Sequence, residues 1–281
     1  MTALTLGLIA ALCWGFHDIC VRFVSQSVPL LASLLMVLVV GLLFHLGLMV
    51  ALDGFAALPA PALGLSVLSG GFFLMASLGL YGAFQRGPVR LVAPIIASYP
   101  ILSVGWAAIG GATIHPLQWL AVLAIVVGVS VVAALADDGT GDVPPKGRTI
   151  LLSAISAVGF ASTFALGQWA TTLASDLPVT LVTRIVAIVL LVTIIWSYGL
   201  PLWPERRAWP VLSLMGLADG IALYCMFSAG DLADAQYAAV AASTFGLLTI
   251  VGAWVFLREP MRSAQWVGCA VAFAGIGYLA I

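Results

Sequence analysis

The chain has 281 residues, 63% of them hydrophobic and 7% charged, with a formal net charge of −1. A soluble domain carries roughly 25% charged residues, so this composition excludes a water-soluble globular fold, and the lack of any basic run excludes nucleic acid as a partner. What remains is a chain built to lie almost entirely in a lipid bilayer.

Ten apolar stretches follow one another, each close to the ~20 residues that a helix needs to cross the hydrocarbon. The apolar runs are continuous rather than alternating, which predicts helices and not a barrel. Spans 1 to 5 are expected at Leu4 to Phe23, Leu30 to Leu52, Ala62 to Phe84, Leu91 to Ile114 and Leu117 to Ala136. Spans 6 to 10 follow at Ile150 to Ala174, Val179 to Leu200, Trp209 to Ala229, Ala235 to Leu257 and Ala264 to Ile281. The first stretch lacks a basic n-region and a small-residue cleavage site, so it reads as a span and not as a leader. Only the connection from Asp137 to Arg148 has a linker's Gly, Pro, Asp and Lys. It divides the chain into a five-helix half at 1–138, a linker at 139–148 and a second five-helix half at 149–281.

Along the chain, polar and aromatic groups mark a candidate small-molecule pocket. Span 1 contributes Trp14; its Asp18 and Arg22, four apart, are expected to pair along one helix face and not to line the pocket, with His17 beside them and His45 near the far end of span 2, too few ligands for a metal. Span 3 sets Ser77, Tyr81 and Gln85 on one stripe, and span 4 adds Ser98, Tyr99 and Ser103. Pro94 and Pro100 remove backbone donors and are expected to bend span 4. Span 5 is nearly pure aliphatic. Span 6 offers Ser156, Thr163 and Trp169, span 8 Tyr224, and span 9 Ser243 and Thr244. Apolar walls with a few placed polar groups are how such pockets are built; for each of these residues the competing reading is helix packing or an interfacial belt. Gly70, Gly71, Gly110, Gly111, Gly216 and Gly220 allow close helix approach or bending.

Two charges stand deeper. Asp219 lies about ten residues into span 8, ~15 Å from its end at ~1.5 Å per residue, and Arg184 enters span 7 from the opposite face. A charge facing lipid costs at least ~2.5 kcal/mol, so such groups pair up or mark a pathway. One reading is an Asp219–Arg184 ion pair that holds spans 7 and 8 together. The other is a site where Asp219 takes an ammonium group or a proton and Arg184 a carboxylate; a cycle can exchange one for the other. Cys13, Cys20, Cys225 and Cys269 lie inside spans without metal-type spacing and read as packing residues. With His17, His45 and His115 scattered, no metal site and no cofactor are expected.

The two halves resemble each other. Tyr81 to Phe84 matches Tyr224 to Phe227, Ala97-Ser98 matches Ala242-Ser243, and Gln118-Trp119 matches Gln265-Trp266, in the same order and at offsets of 143 to 147. An odd number of helices per copy makes the second copy insert upside down, which predicts an inverted repeat. Charge placement agrees: Arg22, Arg86, Arg90, Lys146, Arg148, Arg206, Arg207, Arg258 and Arg262, nine of the ten cations, fall on one face, with Arg184 the exception. By the positive-inside rule that face is cytoplasmic and both termini are outside.

Trp14-Gly15-Phe16, Thr183-Arg184, Leu257-Arg258-Glu259-Pro260 and Gln265-Trp266-Val267-Gly268 together resemble the drug/metabolite transporter superfamily of ten-helix, two-repeat exporters. Within it the chain is most similar to the bacterial amino-acid exporters, those of aromatic amino acids in particular. Where the family often has an acidic residue after helix 4, this chain has Ala112-Thr113-Ile114. The resemblance implies a central cavity lined by helices 1 to 4 and 6 to 9, helices 5 and 10 at the periphery, and termini inside, against the charge count.

No Walker motif and no His-Glu-x-x-His points to a membrane-embedded enzyme, and no filter loop or charge ring points to a channel. The expectation is an inner-membrane secondary transporter that exports amino acids, broad but favouring aromatic and apolar side chains, by rocking two copies about a central site. Its partners are those substrates and the bilayer, with either proton antiport through Asp219 or uniport. Efflux of another small metabolite or drug by the same fold is the alternative.

Overall fold

The computed structural model describes residues 2–102, 115–135, 145–230, 232 and 236–279. Its helices are α1 (Ala3–Val24), α2 (Leu30–Ala51), α3 (Ala60–Arg86), α4 (Val89–Ala97), α5 (Pro116–Leu135), α6 (Lys146–Thr171), α7 (Asp176–Ser197), α8 (Trp209–Ser228), α9 (Gln236–Ser243), α10 (Phe245–Phe256) and α11 (Ser263–Leu279). Six of them, α1, α2, α3, α6, α7 and α8, are long and apolar enough to cross a membrane. Ser103, Gly110, Gly111, the Ala112-Thr113-Ile114 segment and most of the linker lie outside the described residues.

Two expected spans are interrupted. Helix α4 stops at Ala97, and the helix resumes only at Pro100. Pro100 has no amide to donate and disfavours the α conformation at Tyr99; Tyr99 N donates to Ile96 O at 3.2 Å instead, and the Ser98 hydroxyl and amide both donate to Ile95 O, at 2.7 and 3.3 Å. Span 9 is split at Thr244 into α9 and α10, although no proline stands there. The Thr244 hydroxyl donates to Ala241 O at 2.6 Å, a side-chain bond of the kind that loosens a helix.

Helix ends follow local chemistry. Gln118 and Gln265 each accept from the amide three residues earlier, His115 N at 2.9 Å and Arg262 N at 3.0 Å, and so cap α5 and α11. Helices α2 and α7 both close with a left-handed residue, Asp53 and Gly199, followed by a return bond, Gly54 N to Met49 O and Leu200 N to Ile195 O, which satisfies a terminal carbonyl.

Among the described residues, the helices before residue 139 pack mainly on those after it. Helix α1 lies against α8, α9 and α10; α2 against α7 and α8; α3 against α6 and α7; α4 against α6 and α10; α5 against α11. Between membrane helices lipid supplies no hydrophobic drive, so small residues that let backbones approach carry the contact. A Cβ on Gly70 would lie 2.6 Å from Thr183 O and 2.7 Å from Val186 Cβ; one on Gly216 would lie 2.7 Å from both Val37 O and Val40 Cβ. A Cβ on Gly128 would meet Gly268 O at 2.4 Å, which locks α5 to α11. Outward faces carry Leu12, Val50, Leu120 and Trp196, all more than half exposed, as a lipid-facing surface does.

The cationic residues gather at one end. Arg22 donates to Phe84 O at 2.8 Å and stands 3.6 Å from Glu259, not on Asp18 as their spacing predicts, because the end of α3 offers it an open carbonyl. Glu259 accepts from Val89 N at 3.2 Å and Arg90 N at 3.4 Å, the first amides of α4, and Arg90 bonds Pro260 O. Helix α6 begins here, since Gly87 packs on Thr149, and brings Lys146 and Arg148. Helix α8 runs parallel to α2, with Gly216 at Val37 and Gly220 at Gly41, and so starts at this end beside Arg206 and Arg207.

Candidate functional site

Midway along α7 and α8, Arg184 Nη1 meets Asp219 Oδ2 at 2.5 Å. Trp14 of α1 donates its indole N–H to the other oxygen, Oδ1, at 3.1 Å, so each carboxylate oxygen of Asp219 has a partner. Arg184 is fully buried. One guanidinium face lies over the Phe73 ring at 5.1 Å, a favourable place for a cation. It also presses on Gly41, where a Cβ would stand 2.7 Å from Nη1; only glycine leaves that room. Beside it, His45 donates from Nε2 to Gly220 O at 2.8 Å, tying α2 to the residue after Asp219.

Asp219 borders an internal cavity. Its other walls are Trp14, His17 and Asp18 of α1, Leu34, Val37 and Leu38 of α2, Ser77, Leu80 and Tyr81 of α3, Phe160 and Phe164 of α6, and Phe245 of α10, around about 450 Å³ of space counted to its opening. The space is divided into narrow gaps: water fits, and an amino acid fits only if side chains move. Trp14 organises the aromatic wall, with ring centroids 5.4 Å from Phe164, 6.2 Å from Phe160 and 6.2 Å from Phe245. On the facing side, His17 Nδ1 lies 3.0 Å from Asp18 Oδ1 and its Nε2 lies 3.2 Å from the Tyr81 hydroxyl. The wall can thus hold an apolar or aromatic body, while two carboxylates, Asp18 and Asp219, face a polar end.

Of the residues expected from sequence, Asp219, Trp14, Tyr81 and Ser77 line the cavity, with the Ser77 hydroxyl returned to Phe73 O at 2.8 Å. Arg184 is joined to it through Asp219. Tyr99 stands behind Phe164 at 5.4 Å and bonds Ala239 O at 2.5 Å. The others are not brought there. Trp169 is 60% exposed on the outer surface. Thr163 bonds Gly159 O within its helix and accepts Ser69 of α3 at its carbonyl, a packing contact. Ser98 is used at the α4 break, while Tyr224 is half-buried and Ser243 buried, both outside the wall. Sequence reasoning missed Asp18, His17, Phe160, Phe164 and Phe245 as cavity residues. A signal existed: Trp14 with Asp18 and Phe160 with Phe164 share the same four-residue spacing, 146 residues apart.

Comparison with known proteins agrees with this architecture. A solved structure titled only as the crystal structure of a protein superposes with a TM-score of 0.72 at 17% identity, covering 98% of this chain and 95% of the other, which shows a shared fold. No curated protein matches the chain. The EamA-like transporter family matches residues 1–134 and 147–281. A helical, apolar, multi-pass chain with these matches belongs to the EamA-like transporter family of membrane transporters.

Proposed function

We infer that the protein is a secondary transporter that exports amino acids, favouring aromatic and apolar side chains, by alternating access of its central cavity between two inverted five-helix halves in a cell's inner membrane. The observation that carries the reading is the Arg184–Asp219 pair at mid-depth on the rim of an aromatic-walled cavity. Opposite charges beside apolar walls suit a zwitterion with an apolar side chain, and a charge at that depth is costly unless it has such work.

Several features support ten spans in two inverted copies, divided near 139–148. The family matches two stretches of almost equal length. The close contacts of Gly70 with Thr183 and Val186 repeat in those of Gly216 with Val37 and Val40, every residue displaced by 146. Exchange of the halves also maps the helix contacts onto each other: α1 on α8 becomes α6 on α3, and α2 on α8 becomes α7 on α3. The paired breaks near Ser98 and Thr244 follow the same offset, and the paired caps at Gln118 and Gln265 lie one residue further apart, at 147. Broken helices at corresponding positions are what inverted-repeat transporters place at a binding site. Proton antiport through Asp219 has less support than uniport, since both its oxygens are engaged.

Binding of radiolabelled phenylalanine to detergent-purified protein in a scintillation proximity assay tests the substrate. Saturable binding that unlabelled aromatic and apolar amino acids displace, and that Asp219→Asn removes from a monodisperse preparation, is the expected result. A monodisperse wild type without such binding would refute amino acids as the substrate and favour another small metabolite or drug.

A further inference from the structure

The cavity holds a second acid whose bonding differs from that of Asp219. Asp18 is 1% exposed and lines the same space. Its Oδ1 is met by His17 at 3.0 Å, but its Oδ2 has no hydrogen-bond partner among the described residues. A buried carboxylate oxygen without a partner is costly, and native proteins keep one only for a reason. The neighbouring groups fix its character. An ionised carboxylate only accepts, so His17 Nδ1 donates to it, while His17 Nε2 lies 3.2 Å from the Tyr81 hydroxyl. Braced by Tyr81, His17 holds one oxygen of Asp18 in place and leaves the other open. Arg184 pairs with Asp219 through Nη1 and keeps Nε and Nη2 without a hydrogen-bond partner among the described residues, while the ion-pair partner of Asp18 is His17.

We propose that Asp18 is the cavity's cation site: its open carboxylate oxygen receives the ammonium group of the substrate, whose apolar or aromatic body lies against Trp14, Phe160, Phe164 and Phe245. The proposal rests on the reading of this cavity as the substrate site and assigns the amine end to Asp18, ahead of Asp219. Aromatic faces around an ammonium add cation–π attraction. His17 is a positioning residue in this account, because it acts by holding Asp18. Recognition is then asymmetric: an amine is required, whereas Arg184 is not among the cavity walls and offers a carboxylate no direct contact there.

Counterflow in proteoliposomes separates the two readings, using labelled phenylalanine and labelled phenethylamine, which lacks the carboxylate, with 3-phenylpropionate, which lacks the amine, as competitor. Wild type is expected to take up phenethylamine. Asp18→Asn is expected to lose that uptake at least tenfold, Asp18→Glu to retain most of it, and 3-phenylpropionate not to compete. Uptake of phenethylamine by a monodisperse Asp18→Asn protein within twofold of wild type would overturn the proposal, as would competition by 3-phenylpropionate equal to that of the amine. Asp18-dependent movement of phenethylamine without movement of phenylalanine would sustain the proposal and refute amino acids as substrate. Phenylalanine uptake indifferent to Asp18 but dependent on Asp219 would refute the proposal and sustain the amino-acid reading. Uptake of neither compound by a folded wild type would refute both.

Discussion

Among the described residues Arg184 is the largest side chain that is fully buried, and one acid balances it. Removing one partner of such a pair leaves the other charge stranded in an apolar interior, which typically costs about 3–5 kcal/mol, while replacing both with apolar residues is far milder. Arg184→Leu should therefore lower the thermal unfolding midpoint in detergent sharply, and the double change Arg184→Leu with Asp219→Leu should recover most of the loss while abolishing transport. A double variant no more stable than the single would show that the pair is not the dominant contact of either residue. The pair was legible in the sequence because a charge interrupting a twenty-residue apolar run stands out. Asp18 was not, since Arg22 four residues on offered a ready partner; the structure gives Arg22 to Phe84 and Glu259 instead. Trp169 misled for a related reason. In a bilayer the outer face of a helix is as apolar as the inner one, so an aromatic residue carries no mark of the side it faces.

At the scale of helices, length and apolarity alone define a span, and the helices at expected spans 1, 2, 3, 5, 6, 7, 8 and 10 begin and end within about four residues of the expected bounds, whereas α4 stops at Ala97 and expected span 9 is split in two. The break in α4 was signalled by Pro100; the break at Thr244 was not, because a hydroxyl that bonds its own helix looks like any other threonine. Glycines show the same limit. Gly70 and Gly71 are adjacent, yet a Cβ on Gly70 would collide with Thr183 O at 2.6 Å whereas one on Gly71 would have open space. Gly70→Ala and Gly216→Ala should each destabilise by about 1–3 kcal/mol through overpacking. Gly71→Ala should be neutral or stabilise by up to ~1 kcal/mol through helix propensity. Unfolding midpoints of the three variants check the contrast; equal effects at Gly70 and Gly71 would deny that close backbone approach decides the α3–α7 contact.

Among the described residues of the whole molecule, contacts between helices before residue 139 and helices after it outweigh those within either set, and at the cationic end they converge on Glu259. Glu259, carried on the turn after α10, caps the first amides of α4 and holds Arg22 of α1, closing that end. Glu259→Ala should loosen it: in a protein with its native cysteines replaced, a membrane-impermeant thiol reagent should label Ser77→Cys several-fold faster from the cationic side once Glu259 is removed. An unchanged labelling rate would mean that this cluster does not gate the cavity. Matched motifs predicted a repeat, but the partner of each helix could not be read from them, because sequence similarity says nothing about which faces meet.

The account turns on the cavity between the halves carrying a substrate across the bilayer. The most direct measurement is counterflow of radiolabelled phenylalanine into proteoliposomes preloaded with unlabelled phenylalanine, comparing wild type with Asp219→Ala. Transient accumulation by wild type, abolished by unlabelled aromatic amino acids and absent in the folded variant, is the predicted result; accumulation that survives Asp219→Ala undiminished would place the transport path elsewhere in the molecule.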